Sequence, residues 1–213
     1  MESSMTMQKK LICLGDSLTF GYGVRPSLRW TNVAAKETGW EIANEGINGD
    51  TTGGMLARLQ TKVLPSLRVG TFCANRPCVL LMGGANDVFY SGTDTAARGN
   101  MGAMLHQLLA AGVFPMVGSP LPVDAAHAPE AWAAAVDFSA AAECLREYRG
   151  WLARFCAAFG VPLVDFCADF LSSDGRICTE LLLDGLHPTP EGHQLMARRL
   201  CAQLKENNRD NDN

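Results

Sequence analysis

The chain has 213 residues, enough for one sizeable core, and the composition of an ordinary globular protein, 47% hydrophobic and 19% charged. Lys and Arg number 18 against 22 Asp and Glu, a formal charge of -4, with no basic run to follow a phosphate backbone, so no nucleic acid is expected as a partner. No apolar stretch approaches the roughly 20 residues of a membrane span, and the first ten positions lack the apolar run of a signal peptide; the expected location is cytoplasmic, with no stable membrane insertion.

The first predicted element is a short buried strand, Leu11-Ile12-Cys13-Leu14, that stops at Gly15-Asp16-Ser17. All three residues are common turn formers, and a bare turn is one reading of them. Position supplies another: in an open α/β sheet, ligands bind beyond the carboxyl ends of the strands, where Ser17 stands. Pro26 to Thr38 follows as a helix with Leu28, Val33 and Ala34 as its apolar face and Gly39 as its stop. Trp40 to Ala43 reads as a short strand, and Asn44 to Thr52 as a turn-rich segment. The next helix carries Met55, Leu56, Leu59, Val63 and Leu64, with Asp50 or Thr51 as its cap.

Cys78 to Met82 is a continuous apolar run, as expected of a central strand buried on both faces, and it breaks at Gly83-Gly84-Ala85-Asn86-Asp87 in a repeat of the opening pattern. A polar stretch reaches Asn100 and leads into a helix with Met101, Met104, Leu105, Leu108 and Leu109. Val113 to Val117 is a fourth strand, in which Pro115 argues against a fully paired central position. Gly118 to Val136, rich in Pro and Ala, is long for a connection and reads as an inserted loop, a candidate lid. Apolar positions from Ala141 to Phe159 recur at helical spacing, their aromatics read as core. Gly160 ends that helix, Val161 to Asp165 is a fifth strand, and a last helix runs from Pro190 to about Lys205.

Five strands alternating with about five helices predict a parallel sheet with helices on both faces. Residues 8–205 are expected to form a single domain, with 1–7 and 206–213 as flexible termini. Of the eight cysteines, Cys13, Cys78, Cys144, Cys156, Cys167 and Cys201 fall in apolar or amphipathic patterns and no Cys-x-x-Cys pair occurs, so they read as reduced core residues. The histidines lack neighbours at ligand spacing, and neither Gly-x-Gly-x-x-Gly nor a Walker lysine follows the first strand. No metal and no cofactor are expected.

In a parallel sheet the strand ends share one edge, so residues far apart in the chain can meet there. That edge would gather Ser17, the backbone around Gly49, Asn86, and Asp184 with His187 three residues on. A serine hydroxyl is a weak nucleophile until a base takes its proton, the base needs an orienting partner, and the oxyanion that forms needs donors. These needs are met by Ser17 as nucleophile, His187 as general base and Asp184 as its orienter, with the Ser17 and Gly49 N–H groups and the Asn86 amide as oxyanion hole. Asp16 and Asp87 read as holders of backbone N–H groups. His106, His127 and His193 read as surface or capping residues, with His127 in the candidate lid. Phe20, Tyr22, Val88, Phe89, Tyr90, Leu121 and Leu186 flank these stretches and suggest an apolar acyl pocket.

Four blocks in this order, Gly15-Asp16-Ser17-Leu18, Gly46-Ile47-Asn48-Gly49-Asp50-Thr51, Gly84-Ala85-Asn86-Asp87 and Asp184-Gly185-Leu186-His187-Pro188, resemble those of the SGNH hydrolases, also called GDSL esterases and lipases. The likeness is to small single-domain members related to arylesterases, thioesterases and lysophospholipases. It implies a three-layer α/β/α, flavodoxin-like sheet of order 2-1-3-4-5, and hydrolysis of a small-molecule carboxylic ester through a covalent acyl-serine. Asn48 departs from the serine expected before the block-two glycine. The Gly-x-Ser-x-Gly elbow of α/β-hydrolases is absent, because Thr19 takes the second glycine's place. The same triad could pass an acyl group to an alcohol or deacetylate a sugar, and a non-catalytic binding module is a further alternative. The sequence leaves the oligomeric state open.

Overall fold

The computed structural model describes residues 9–69 and 78–211, so the expectation for residues 1–7 lies outside the described residues. Five parallel strands, β1 (Lys10–Gly15), β2 (Glu41–Gly46), β3 (Cys78–Met82), β4 (Phe114–Gly118) and β5 (Leu163–Val164), form one sheet in the order 2-1-3-4-5. This is the expected architecture, and the register aligns Gly15 with both Gly46 and Met82, bringing the ends of three strands level.

Alternation along the strands divides the core. Leu11, Cys13, Leu80, Met82 and Met116 face α2 (Trp30–Thr38) and α8 (Pro190–Asn211), whose Trp30, Ala34, Met196, Ala197 and Leu200 complete that cluster. Ile12, Leu14, Val79, Leu81 and Val117 face the other way, toward α3 (Thr52–Arg58), α6 (Thr95–Ala110) and α7 (Phe138–Phe159). Side chains two apart thus share a face, as strand geometry requires. On α7 the aromatics form a row in which Trp151 stacks on buried Tyr148, Phe155 stacks on Trp151, and the exposed Phe159 tilts against Phe155.

Several boundaries differ from those expected, each for a physical reason. The helix read over Pro26–Thr38 is a 3₁₀ turn, Pro26–Leu28, and then α2, because Arg29 is extended (φ -65, ψ 135); its buried face is Trp30, Thr31 and Ala34. Strand β2 includes Asn44 and Glu45, which read as turn residues. Their polar side chains are satisfied within the sheet's surroundings, Asn44 Nδ2 donating to Thr19 O (2.7 Å) and Thr31 Oγ1 (2.9 Å) and Glu45 pairing with Lys62. The polar stretch before Asn100 holds a helix of its own, α5 (Ala85–Ser91), and the first turns of α6, where an Asp94–Arg98 pair bridges the start.

Helix α3 continues through a π-helical turn, Leu59–Val63, into α4 (Leu64–Val69). Pro115 is tolerated because β5 covers only the end of β4. Val117 and Ser119 donate to Pro162 O and Val164 O, so the N–H missing at Pro115 falls before β5 begins. Pro162 likewise shortens β5 to two residues. The segment after β5, for which the sequence suggested no element, forms 3₁₀ turns at Phe166–Phe170 and Thr179–Leu181 and buries Phe166 and Phe170. Helix α8 extends past Lys205 to Asn211; Gln203 Nε2 donates to Asn207 Oδ1 (3.1 Å) and Asn207 Nδ2 contacts Met116 Sδ, docking the added turn on the sheet.

Candidate active site

The first strand ends at a serine held in one place. Asp16 caps the single turn α1 (Ser17–Phe20), its Oδ1 accepting from Leu18 N–H at 2.9 Å, as its sequence context suggested. Gly15 acts through its missing side chain: a Cβ there would lie 2.1 Å from Thr19 Oγ1, and one on Gly46 would lie 2.1 Å from Phe20 N. Both glycines let α1 sit directly on the sheet's end. Asp16 is 1% exposed, and burial pushes its carboxyl up to about 7 against the lowering effects of the Leu18 N–H and the His187 charge.

The serine's partners arrive from the other end of the chain. Ser17 Oγ lies 2.9 Å from His187 Nε2, and His187 Nδ1 lies 2.8 Å from Asp184 Oδ2. With its Nδ1–H donated to Asp184, the imidazole leaves Nε2 free to accept the serine proton. Asp184 also accepts the backbone N–H groups of Leu186 (3.1 Å) and His187 (2.8 Å), so the loop that carries the histidine is folded around the carboxylate. Partial burial raises the Asp184 pKa, but those bonds and the His187 charge outweigh it and leave the carboxyl below its ordinary value. The Tyr22 ring packs against the imidazole, centroids 4.6 Å apart.

The remaining predicted residues come from the ends of β2 and β3. Ile47 to Asp50 is a tight turn closed by Asp50 N–H to Ile47 O (3.2 Å), with Gly49 at φ +75, a conformation that suits glycine. Of the two proposed caps for α3, Thr51 is used, its Oγ1 accepting from Gly54 N–H, while the Asp50 carboxylate turns to Arg58. Asn86 donates one amide hydrogen to Asp50 O at 2.8 Å, which leaves its second for another acceptor. Asp87 accepts from Thr52 N–H (2.9 Å) and Thr52 Oγ1 (2.6 Å), tying α5 to α3.

Ser17, Gly49, Asn86, Asp184 and His187 all line one cavity of about 530 Å³. Its walls include five of the seven suggested apolar residues, Tyr22, Phe89, Tyr90, Leu121 and Leu186. The other two point elsewhere: Phe20 lies under the Arg29 guanidinium, and Val88 is in the core. The 118–136 connection adds Pro122, Val123, Pro129 and Trp132 to the wall, and Asp16, Leu18, Asn48 and Ala85 line it too. The long 118–136 connection is thus divided, with residues 118–124 buried and a 3₁₀ turn, Glu130–Trp132, reaching over to the cavity. Sequence reasoning marked the segment and Leu121 within it, but not Pro122, Val123, Pro129 or Trp132.

His127 is exposed and pairs with Asp124 (2.7 Å) outside the cavity wall, and His106 is exposed. His193 corrects its surface reading: it is fully buried, with Nδ1 accepting from Trp30 N–H. Its neighbours Glu191, Gly192 and Gln194 are polar or small, which hid the burial. Cys13, Cys156, Cys167 and Cys201 are buried free thiols. Among the described residues no three His, Cys, Asp or Glu side chains converge as a metal-ligand set would, and no helix is long and apolar enough to cross a membrane.

Comparison with solved structures places the fold. The M. smegmatis aryl esterase aligns at TM-score 0.73 with 22% identity, over 93% of this chain and 99% of that one. Est24, a carbohydrate acetylesterase from Sinorhizobium meliloti, aligns at 0.72 with 21% identity over 93% and 99%. The lipase/acylhydrolase from Enterococcus faecalis aligns at 0.69 with 23% identity over 94% and 97%. No curated protein matches by sequence. The model of the GDSL-like lipase/acylhydrolase family matches residues 13–195, most of the length and every block of the site. The chain therefore belongs to the GDSL-like lipase/acylhydrolase family and is a carboxylic-ester hydrolase.

Proposed function

We propose that the protein hydrolyses small apolar or aromatic carboxylic esters through an acyl-serine formed on Ser17. The observation that carries this reading is the chain of contacts from Ser17 Oγ to His187 Nε2 (2.9 Å) and from His187 Nδ1 to Asp184 Oδ2 (2.8 Å). Ser17 Oγ attacks the acyl carbon as its proton passes to His187 Nε2, and the carbonyl oxygen becomes an oxyanion. The Ser17 and Gly49 N–H groups and the free Asn86 amide hydrogen receive that charge. Collapse of the intermediate breaks the ester C–O bond, the alcohol leaves with the proton held by His187, and the acyl group remains on Ser17. Water then repeats the sequence: His187 takes its proton, its oxygen attacks the acyl carbon, and the carboxylic acid departs as Ser17 regains its hydrogen.

The apolar and aromatic wall favours an acyl or aryl group over a highly hydroxylated one. A test uses p-nitrophenyl acetate, butyrate and octanoate beside an acetylated sugar. Ser17→Ala should abolish turnover of all of them, and an organophosphonate should add its mass to the peptide holding Ser17. Near-normal turnover by Ser17→Ala, or label on another residue, would refute the mechanism.

A further inference from the structure

We infer that Arg58 is a positioning residue for the oxyanion hole: its guanidinium fastens together the ends of β1 and β2 and the turn after β2, which carry two of the donors and hold the third, Asn86, by a hydrogen bond. The inference rests on the proposed role of those donors. Arg58 ends α3, directly before the π-helical turn Leu59–Val63, and its side chain is only 18% exposed. Such turns are rare inside helices and are found frequently at functional sites.

The contacts reach three separate pieces of the site. Nη2 donates to Gly15 O at 2.9 Å, the last residue of β1 and two before Ser17. Nη1 donates to Glu45 O at 2.7 Å, near the end of β2. Nε donates to Asp50 Oδ2 at 3.0 Å, and Nη2 reaches the same oxygen. Asp50 follows Gly49, and its carbonyl receives the Asn86 amide. One planar cation therefore holds the carriers of the Ser17 and Gly49 N–H groups directly and reaches the Asn86 side chain through Asp50. None of its donors points into the cavity, so it touches no substrate and acts through the positions of others.

The chemistry of the residue matters as much as its charge. Three acceptors in three directions suit the rigid fork of a guanidinium, whereas an ammonium on a flexible stem is a point charge that pairs with Asp50 and leaves at least one strand-end carbonyl without it. A displacement well under 1 Å at the donors suffices to weaken an oxyanion hole, because the interaction is made with a charge that exists only in the transition state.

The experiment measures kcat and KM on p-nitrophenyl acetate for Arg58→Met, Arg58→Lys, Asn86→Ala and the double variant Arg58→Met/Asn86→Ala. Asn86→Ala alone should lose about 100- to 1,000-fold in kcat, as for one missing donor. Arg58→Met should lose at least ten-fold in kcat with KM within about three-fold, and the double variant should lose at least ten-fold less than the product of the two single losses. Arg58→Lys, which keeps the ion pair and serves where Arg58→Met does not fold, should lose kcat in the same manner. Wild-type kcat in both Arg58 variants, losses that multiply in full, or a loss confined to KM would each overturn the inference. Wild-type kcat in Arg58→Lys would do so where Arg58→Met does not fold. The nucleophile assignment is judged separately by Ser17→Ala, whatever Arg58 does.

Discussion

Trp30 and His193 join the two ends of the chain beneath the site: the Trp30 backbone N–H donates to His193 Nδ1 (3.3 Å), and the Trp30 indole N–H donates to Leu18 O (2.8 Å). Since His193 opens α8 shortly after His187, and Leu18 follows Ser17, this path links the helix bearing the serine to the element that follows the histidine loop.

The bond demands an unprotonated Nδ1, and the pH response follows. Burial, then the charges of Arg29 and His187, lower the His193 pKa from the ordinary 6.5 to about 4. The unfolded chain takes up the proton near pH 6.5 and the folded one only near pH 4. The stability supplied by neutral His193 is therefore complete above pH 6.5 and is lost as the pH falls to about 4, a change on the order of 3 kcal/mol. In His193→Asn the side-chain oxygen can take the place of Nδ1 without titrating. Denaturant melts at pH 7.5 and pH 4.5 should show the wild type losing more stability than His193→Asn; equal losses would count against this account.

Asp16 titrates with the opposite sign. Among the described residues its buried Oδ2 has no hydrogen-bond partner, and burial pushes the carboxyl from 3.8 up to about 7, Leu18 N–H and His187 opposing and Asp50 and Asp87 adding. The folded state holds the proton more tightly than the unfolded one, so its contribution is full below about pH 3.8 and is lost as the pH rises through 7. Asp16→Asn retains an oxygen for the Leu18 N–H and removes the buried charge. It should be more stable than the wild type at pH 8, by on the order of a few kcal/mol, with the gap closing toward pH 4. A gap that does not vary with pH would refute this. Because the Asp16 and His193 windows overlap, the wild-type profile alone separates neither, and the two variants do.

Three parts of the candidate site, Ser17, Gly49 and Asn86, were legible because they follow strand ends, which show as apolar runs broken by Gly, Ser, Asn or Asp; Asp184 and His187 lie on a loop some twenty residues past β5 and were marked by their spacing of three. The sheet order came from resemblance; composition alone supported only the parallel class. What stayed hidden was whatever depends on a partner distant in sequence. Asn44 reads as a turn residue until Thr19 and Thr31 take up its amide. Arg58 lies outside the apolar set Met55, Leu56, Leu59, Val63 and Leu64, and nothing local announces the three acceptors it reaches. Trp132 sits in a run of alanines, and only the path of the loop turns it toward the cavity.

Gly185 holds the loop of Asp184 and His187 against the 118–136 connection. Its φ is +76, its carbonyl accepts from Asp124 N–H (2.8 Å), and a Cβ would lie 2.5 Å from Asp124 O, 2.8 Å from His127 C and 2.9 Å from Ala128 N. All three are backbone atoms, so the two loops must part. Gly175, at φ +80 with nothing within 4 Å of a Cβ, supplies the control. Gly175→Ala should cost only the left-handed strain, about 1–2 kcal/mol, and leave kcat unchanged. Gly185→Ala should lower Tm further, at about 2–4 °C per kcal/mol, and reduce kcat by moving Asp184 and His187. Equal Tm and kcat in the two variants would show that the contact is unimportant.

Trp132 forms part of the outer wall of the cavity while remaining 39% exposed, so it is open to solvent until a substrate covers it. An acetyl group held beside Ser17 gains little from that ring, whereas a longer acyl chain or an aryl group extends toward it and buries apolar surface on it. Trp132→Ala should therefore leave kcat/KM for p-nitrophenyl acetate within about three-fold of wild type. The preference for octanoate over acetate should fall about ten-fold, the worth of roughly 1.4 kcal/mol of differential contact in the transition state. Most of that change should reside in KM if the ring binds ground state and transition state alike. An equal loss on both esters would instead place Trp132 among the residues that support the loop, and would leave Phe89, Leu121 and Leu186 to set the chain-length preference.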